Sequence, residues 1–428
     1  MNKLAIYLII LLISSILSPF ALAEESFTWQ DCVKEAQKNH PDLISAEENV
    51  KQNQAAKKIA ASELFPQLSG NLGASTAKTT STSSGVTTSK TTETYTYGAS
   101  ADQLIYDGSR TVNNIKAVSE NIKASQYNYR FTSTEVRLRL RSAFINLLKA
   151  QELLNITEEI YKIRRGNLEL ITLRYESGLE HKGALLNAQA NSAQAEFEIL
   201  QAKRAIEVAQ RQLIKEMGRV EFSKVRAQGD FNIKNSDIEK PDFEVLANNN
   251  PSLGRLIAQK NSASFGIKAS EANFFPKLSA TAGASRNSSK WPPEDDQLSA
   301  GLSLSLPLFE GGLRLAEVSQ ARAVYNQAVE NARSARDSII VTLEQSWANF
   351  QDALGEVETQ NKFLTASLAR AEIAEAQYSL GLIQFDSWTI IEDNLVSNKK
   401  AFLNAQANLL LAEASWIQAK GETLEYAD

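Results

Sequence analysis

The sequence predicts a mostly helical chain with a smaller β part: long coiled-coil helices joined to four strands, built as an internal duplication. Three observations carry this. The hexapeptide Leu64-Phe65-Pro66-Gln67-Leu68-Ser69 returns 210 positions later as Phe274-Phe275-Pro276-Lys277-Leu278-Ser279. Each copy is followed by residues that alternate apolar and polar, the period of a strand. Beyond each strand pair lies a proline-free interval of 70 residues, Gly108 to Gly178 and Gly311 to Gly381, far longer than an ordinary globular helix. Repeats settle how every other pattern is read.

Composition bounds the rest. Of 428 residues, 43% are hydrophobic and 22% charged, which is globular rather than disordered. Lys3, the apolar run Leu4 to Leu17 and the small-x-small Ala21-Leu22-Ala23 predict a cleaved signal peptide over residues 1–23. The alternative, a retained anchor helix, needs roughly 20 apolar residues. The net charge of −5 becomes −6 when Lys3 leaves with the signal, and nothing points to nucleic acid. Cys32 is the sole cysteine, so no disulfide forms within the chain; Trp29, Val33 and Ala36 around it predict a buried helix face. The two histidines, His40 and His181, are far apart, without metal-ligand spacing. HExxH, Walker A and GxSxG patterns are absent. The expectation is no enzyme, no cofactor and no metal.

Each repeat then reads in order. Residues 27–63 are predicted helical, with an interruption at Pro41 and a second helix starting near Asp42; Asn250-Pro251-Ser252-Leu253 repeats His40-Pro41-Asp42-Leu43. Pro66 and Pro276 end the helices, because proline has no N–H and disfavours helix in the residue before it. Leu68, Gly70, Leu72, Ala74 and Thr76 form one strand face, and Tyr95, Tyr97, Ala99, Ala101, Gln103 and Ile105 another, with Thr/Ser/Lys-rich 77–92 read as a solvated loop. In the second repeat the strands run from Leu278 to Ala284 and from Leu298 to Leu308, around a loop at Arg286 to Asp296. Gly108 and Gly311, after Asp107 and Glu310, make the strand-to-helix turns, with the acid at the helix N-terminus where negative charge is favoured.

The long helices end in Tyr175-Glu176-Ser177-Gly178 and Tyr378-Ser379-Leu380-Gly381, where glycine suits a left-handed helix end. The returning helices carry heptads, Leu185-Ala188-Ser192-Ala195-Ile199-Ala202 onward to Leu213, and Ile391-Leu395-Asn398-Phe402-Ala405-Leu409 onward to Ala419. Gly218 and Gly421 close the halves. The expected divisions are a first repeat over 24–218, a linker over 219–241 and a second repeat over 242–428.

Four strands with one apolar face cannot close into a barrel alone, since membrane barrels begin at about eight strands. An open edge facing lipid leaves backbone groups unsatisfied. Several chains must therefore share one barrel.

The Phe-Pro-x-Leu strand entries, the Asp-Gly and Glu-Gly-Gly helix starts and the paired Tyr-x-x-Gly turns, on one duplicated frame, resemble the TolC family of outer-membrane channel proteins. The resemblance implies a homotrimer in the outer membrane, extending into the periplasm. Four strands per chain would enter a shared transmembrane barrel in contact with outer-membrane lipid, and the long helices would form a periplasmic α-barrel belted by 219–241. It implies an exit duct for efflux or type I secretion, with a periplasmic adaptor protein and an inner-membrane RND, ABC or MFS pump as partners. Pro66, Gly108, Pro276 and Gly311 are the strand/helix switch points. The helical tips, Arg174–Leu185 and Gln377–Asn394, are implied to meet the adaptor, with Tyr175, Gly178, Glu180, Lys182, Tyr378 and Gly381 as docking candidates. Asp386, Glu392 and Asp393, shortly after the second turn glycine as the family usually has acids, are the pore or gate candidates; their spacing from Gly381 departs somewhat from that of the family's best-known member, so which acid faces the pore stays open. A carboxylate ring at a constriction attracts cations; equally, acids at a helix start are favourable without any pore. The alternative reading is a periplasmic coiled-coil adaptor or structural protein of an export system, which normally carries one helical hairpin where this chain has two.

Overall fold

The computed structural model describes residues 25–231 and 239–426; the predicted signal peptide lies outside them. The first repeat comprises β1 (Glu25–Phe27), α1 (Trp29–Asn39), α2 (Pro41–Ser62), β2 (Gln67–Ser83), β3 (Val86–Tyr106), α3 (Arg110–Glu176) and α4 (Lys182–Glu216). After β4 (Val225–Ala227), the second comprises α5 (Phe243–Asn249), α6 (Pro251–Ala272), β5 (Lys277–Ser288), β6 (Asp295–Ser305), α7 (Leu313–Ser379) and α8 (Phe385–Lys420), then a short 3-10 turn at Leu424–Tyr426. Helix, helix, strand, strand, long helix and returning helix thus occur twice.

Local chemistry sets the boundaries. Thr28 and Asp31 cap α1 reciprocally: the Asp31 N–H donates to the Thr28 hydroxyl at 3.3 Å, and the Thr28 N–H to the Asp31 carboxylate at 3.1 Å. Pro41 and Pro251 are the first residues of α2 and α6, where a missing N–H costs nothing. The side chains before them accept from the second helical residue: His40 Nδ1 from Asp42 N at 3.2 Å and Asn250 Oδ1 from Ser252 N at 2.9 Å. The two long helices, α3 and α7, each run 67 residues without a break.

The sheet has the order β2-β3-β5-β6, antiparallel throughout. One expectation is corrected: residues 77–92 are not a loop but the outer half of a hairpin that turns only at Ser84-Gly85. Threonine is β-branched and suits a strand. Hydroxyl pairs tie the ladder across, Thr80 to Ser89 at 3.1 Å and Thr82 to Thr87 at 3.0 Å. Ser84 and Gly85 both have positive φ, as a two-residue hairpin turn requires. A second difference lies in β6, which stops at Ser305 instead of reaching Leu308; Pro307 cannot donate to the ladder.

The described chain divides into two compact units that cut across the repeats. One takes residues up to Ser45, Arg130–Ala247 and residues from Ile339; the other takes Ala46–Tyr129 and Asn248–Ser338 and holds the four-stranded sheet. In the first unit Val136, Leu140, Ala143 and Leu147 of α3 are buried, and the predicted seams of the returning helices face inward: no heptad residue from Leu185 to Leu213 or from Ile391 to Ala419 is exposed. Phe243 of α5 joins Leu343, Trp347 and Phe350 of α7 and Leu409 and Trp416 of α8 in one apolar cluster. Cys32 is fully buried, and burial pushes its thiol up to about 12. The 219–241 stretch carries β4, which pairs in parallel with β1. Beside them Arg219 is bound by Glu35 at 2.5 Å and Glu25 at 2.8 Å. Three-residue strands carry too little periodicity to be read from sequence.

Candidate functional site

Two regions bear on function, one in each compact unit: the helical tips and the sheet.

At the tips the backbone builds the same turn twice. Gly178 N donates to Tyr175 O and Leu179 N to Arg174 O; Gly381 N donates to Tyr378 O and Leu382 N to Gln377 O. Both glycines have positive φ, the left-handed helix end that the Tyr-x-x-Gly pattern predicts. α4 then starts with the exposed His181 as cap, its Nδ1 accepting from Ala184 N at 3.1 Å, whereas α8 starts at Gln384 without a side-chain cap.

The two tip hairpins pack on one another through Ile171, Ala184, Ala188, Ala374, Tyr378, Phe385 and Trp388. The Tyr378 ring, 1% exposed, stacks on Trp388 at 4.5 Å. Its hydroxyl donates to Glu180 at 2.9 Å, and the Arg174 guanidinium lies over its ring at 4.8 Å. Burial and the bond to Glu180 hold the phenol well above its usual range. Of the docking candidates, Tyr175, Gly178, Lys182 and Gly381 are exposed, Glu180 is half-buried and engaged, and Tyr378 is core. Sequence reasoning missed Leu179 and Leu382, the residues after the turn glycines, each 69% exposed. A leucine at this place ordinarily packs back on its own helix, so its exposure marks both turns as sticky ends.

The three acids separate. Asp386 is exposed in the first turn of α8. Asp393 is exposed and bonded to the buried guanidinium of Arg164. Glu392 is 7% exposed, on the inner face with Phe385, Trp388 and Leu395. That face was legible in the sequence: 385, 388, 392 and 395 follow the three-four spacing of a coiled-coil seam.

In the sheet the register decides the faces. Leu298 lies opposite Ala284, and Ala284 opposite Ala99; Ala300, Ala282, Ala101 and Leu68 form the next row, and Leu302 opposes Ala280. The other face repeats Ser303 with Ser279, and Ser299, Gly283, Ser100 and Ser69. One face is therefore apolar and small, the other hydroxyl-rich. Leu298 and Leu302 of the edge strand β6 are 84% and 74% exposed, which soluble surfaces rarely show in rows. Aromatic residues bound the apolar band. At one end Trp291 meets Tyr95 and Tyr97 edge-on, both at 6.3 Å, beside the Arg286–Asp296 ion pair. At the other, Phe65, Tyr106, Phe275 and Phe309 are all exposed. Aromatic girdles flanking an apolar band are the pattern of membrane strands. Among the described residues no helix is long and apolar enough to cross a membrane.

The switch points sit at the Phe-Pro end. β2 and β5 begin directly after Pro66 and Pro276, and Phe65 N and Phe275 N close the preceding helices onto Ser62 O and Ala272 O. Asp107 accepts from Thr111 N at 2.8 Å, so the acid caps α3 as predicted. The model of a family described as outer membrane efflux protein matches residues 32–219 and 244–422. The chain belongs to the outer membrane efflux protein family. It is 21% identical over 420 residues to the outer membrane efflux protein BepC of Brucella suis, covering 97% of this chain and 86% of that one. It is 23% identical to the outer membrane protein TolC of Escherichia coli, over 66% of this chain and 61% of TolC. The crystal structure of the Campylobacter jejuni CmeC outer membrane channel superposes with a TM-score of 0.81 at 20% identity, covering 93% of this chain and 87% of that one. An outer membrane efflux protein of this fold resides in the outer membrane and extends into the periplasm, and its relatives are channels, not enzymes.

Proposed function

We propose that the protein is the outer-membrane exit duct of a tripartite efflux or type I secretion system, conducting passively what an inner-membrane pump delivers. Three copies each contribute β2, β3, β5 and β6 to one barrel, apolar face to lipid and hydroxyl face to water. The observation that carries this is the open sheet: β2 and β6 are both edges, and an edge in lipid has no partner for its N–H and C=O groups. Ring closure places β6 of one copy beside β2 of the next.

A break in the repeat supports the same assembly. At Gly108 a side chain would meet Ala272 O and the Phe275 Cβ, both at 2.7 Å, because the first repeat leaves the sheet against the second repeat's Phe-Pro corner. At Gly311, its counterpart, nothing lies within 4 Å. Repeating the contact puts Gly311 against Ser62 and Phe65 of the following copy. The sequence divides as 24–218, 219–241 and 242–428, the middle stretch belting the helical part. The tips, through Tyr175, Gly178, Lys182, Gly381 and the exposed Leu179 and Leu382, meet a periplasmic adaptor of an RND, ABC or MFS pump. Asp386 and Asp393 are the acids with access to a pore; Glu392 has none within one chain. Membrane fractionation followed by native mass spectrometry tests the reading. A three-chain species extracted from outer membranes supports it, and a soluble periplasmic monomer overturns it.

A further inference from the structure

The tip core contains a small cavity, apolar on the side of Ala188 and Phe385 and polar on the other. It measures about 10 Å³ and is lined by Arg164 and Asn167 of α3, Asn191 of α4, and Trp388, Thr389 and Glu392 of α8. That is the size of one water molecule. Trp388 is 2% exposed, and its indole N–H has no acceptor among the described residues. A buried donor left unpaired costs about 1–3 kcal/mol, so native proteins satisfy it.

The charges around the cavity do not balance. α3 offers one cation, Arg164, itself buried. α8 presents Glu392 and Asp393, and α7 adds Glu375. On α4, Glu198 also feels Arg164, but it holds Lys400 of α8 at 2.7 Å. Arg164 bonds directly to Asp393, whose side chain is exposed. Glu392 is left buried, with Asn167 as its hydrogen-bond partner and no guanidinium of its own. Burial of a carboxyl favours its protonated form, and Arg164, already bonded to Asp393, offsets this only in part.

We propose that this cavity is a single-water site in which the water accepts from Trp388 Nε1 and bonds to the Glu392 carboxyl, and that packing of the two tip hairpins favours the protonated form of that carboxyl. Burial is the largest influence on the Glu392 carboxyl and raises it; Arg164 opposes the rise, Glu375 adds to it, Asn167 opposes and Asp393 adds. The sign follows from linkage. A carboxyl raised in the packed state leaves packing at full strength below the ordinary value of 4.5, and packing weakens as pH rises through the raised value. Acid therefore tightens the tips and alkali loosens them. The inference concerns tip packing and stands whether or not the tips are the mouth of a duct.

Hydrogen exchange of the full-length protein in detergent, followed at the start of α8 and corrected for the intrinsic pH dependence of exchange, tests it. Wild-type protection should fall with rising pH, by about tenfold for each unit by which the carboxyl is raised. Glu392→Gln should remove the pH dependence and keep the protection of the acid state. Should that variant fail to fold, Asp393→Asn gives Arg164 wholly to Glu392 and should move the transition to lower pH. A pH profile unchanged in either folded variant overturns the protonation. A crystal structure that orders comparably buried waters but shows none within hydrogen-bond reach of Trp388 Nε1 overturns the water.

Discussion

At the ends of α3 and α7 the backbone makes the same turn with the same two hydrogen bonds, yet the side chains have parted company. The first tip brings charge, Arg174 and Glu180; the second brings rings, Tyr378, Phe385 and Trp388. The charged half serves the aromatic half, since Glu180 accepts from the Tyr378 hydroxyl and Arg174 covers its ring. The same division recurs where the halves close. Glu216 beside Gly218 is buried against His40 at 3.5 Å, while its counterpart 203 residues on is buried Ala419. Duplication has kept the joints of the backbone and let the two copies become complementary rather than alike.

Breaking the aromatic half should cost most. Trp388→Ala removes the ring stacked on Tyr378 and is expected to destabilise the tips by about 3–5 kcal/mol, as loss of a large buried aromatic does. Limited proteolysis should then cut at 174–185 and 377–394 together, because the two hairpins share one core. Cutting at one tip alone would dissolve the complementarity.

The switch-point glycines sharpen the comparison next. Both have positive φ, so alanine at either is strained. Only Gly108→Ala also collides with backbone and Phe275. In the dissociated chain it is expected to cost about 2–4 kcal/mol against about 1 for Gly311→Ala, read from denaturant midpoints. In the assembled ring the two should converge, because the following copy fills the space beside Gly311.

Acid separates the two closures. The bond to His40, with Lys215 and Arg139 nearby, holds Glu216 down at about 2, against an ordinary 4.5. A depressed carboxyl gives stability that is present above 4.5 and lost as pH falls toward 2. The loss is on the order of 2 kcal/mol after allowance for solvent screening. Exchange protection near Gly218 should drop in that window and protection near Gly421 should not, and Glu216→Gln should flatten the response.

The smallest effect runs the other way. Ser109 stands at φ 69, where the second repeat has Gly312 at φ 87. Ser109→Gly should stabilise by up to about 1 kcal/mol by removing left-handed strain, visible as a small rise in Tm.

Most of this architecture was legible because a duplication states each signal twice. The long helices, the glycine ends and the heptads needed only spacing. The Thr/Ser/Lys stretch 77–92 was misread because polar composition hid a strand whose β-branched residues pair across a two-residue turn. Tyr378 was misplaced for a different reason: Tyr-x-x-Gly reports a backbone ending, and whether its tyrosine faces water depends on the other hairpin. Glu392 was read with Asp386 and Asp393 as a pore candidate, and only its burial sets it apart from them. The open edges of β2 and β6 were legible only from the strand count of both repeats together, since one hairpin by itself says nothing of closure.

Planar-bilayer recording from the purified oligomer tests the central claim most directly. Stepwise, water-filled conductance is predicted, with cation preference reduced when Asp386 and Asp393 are replaced by alanine. Well-folded oligomers that insert and carry no current would contradict it.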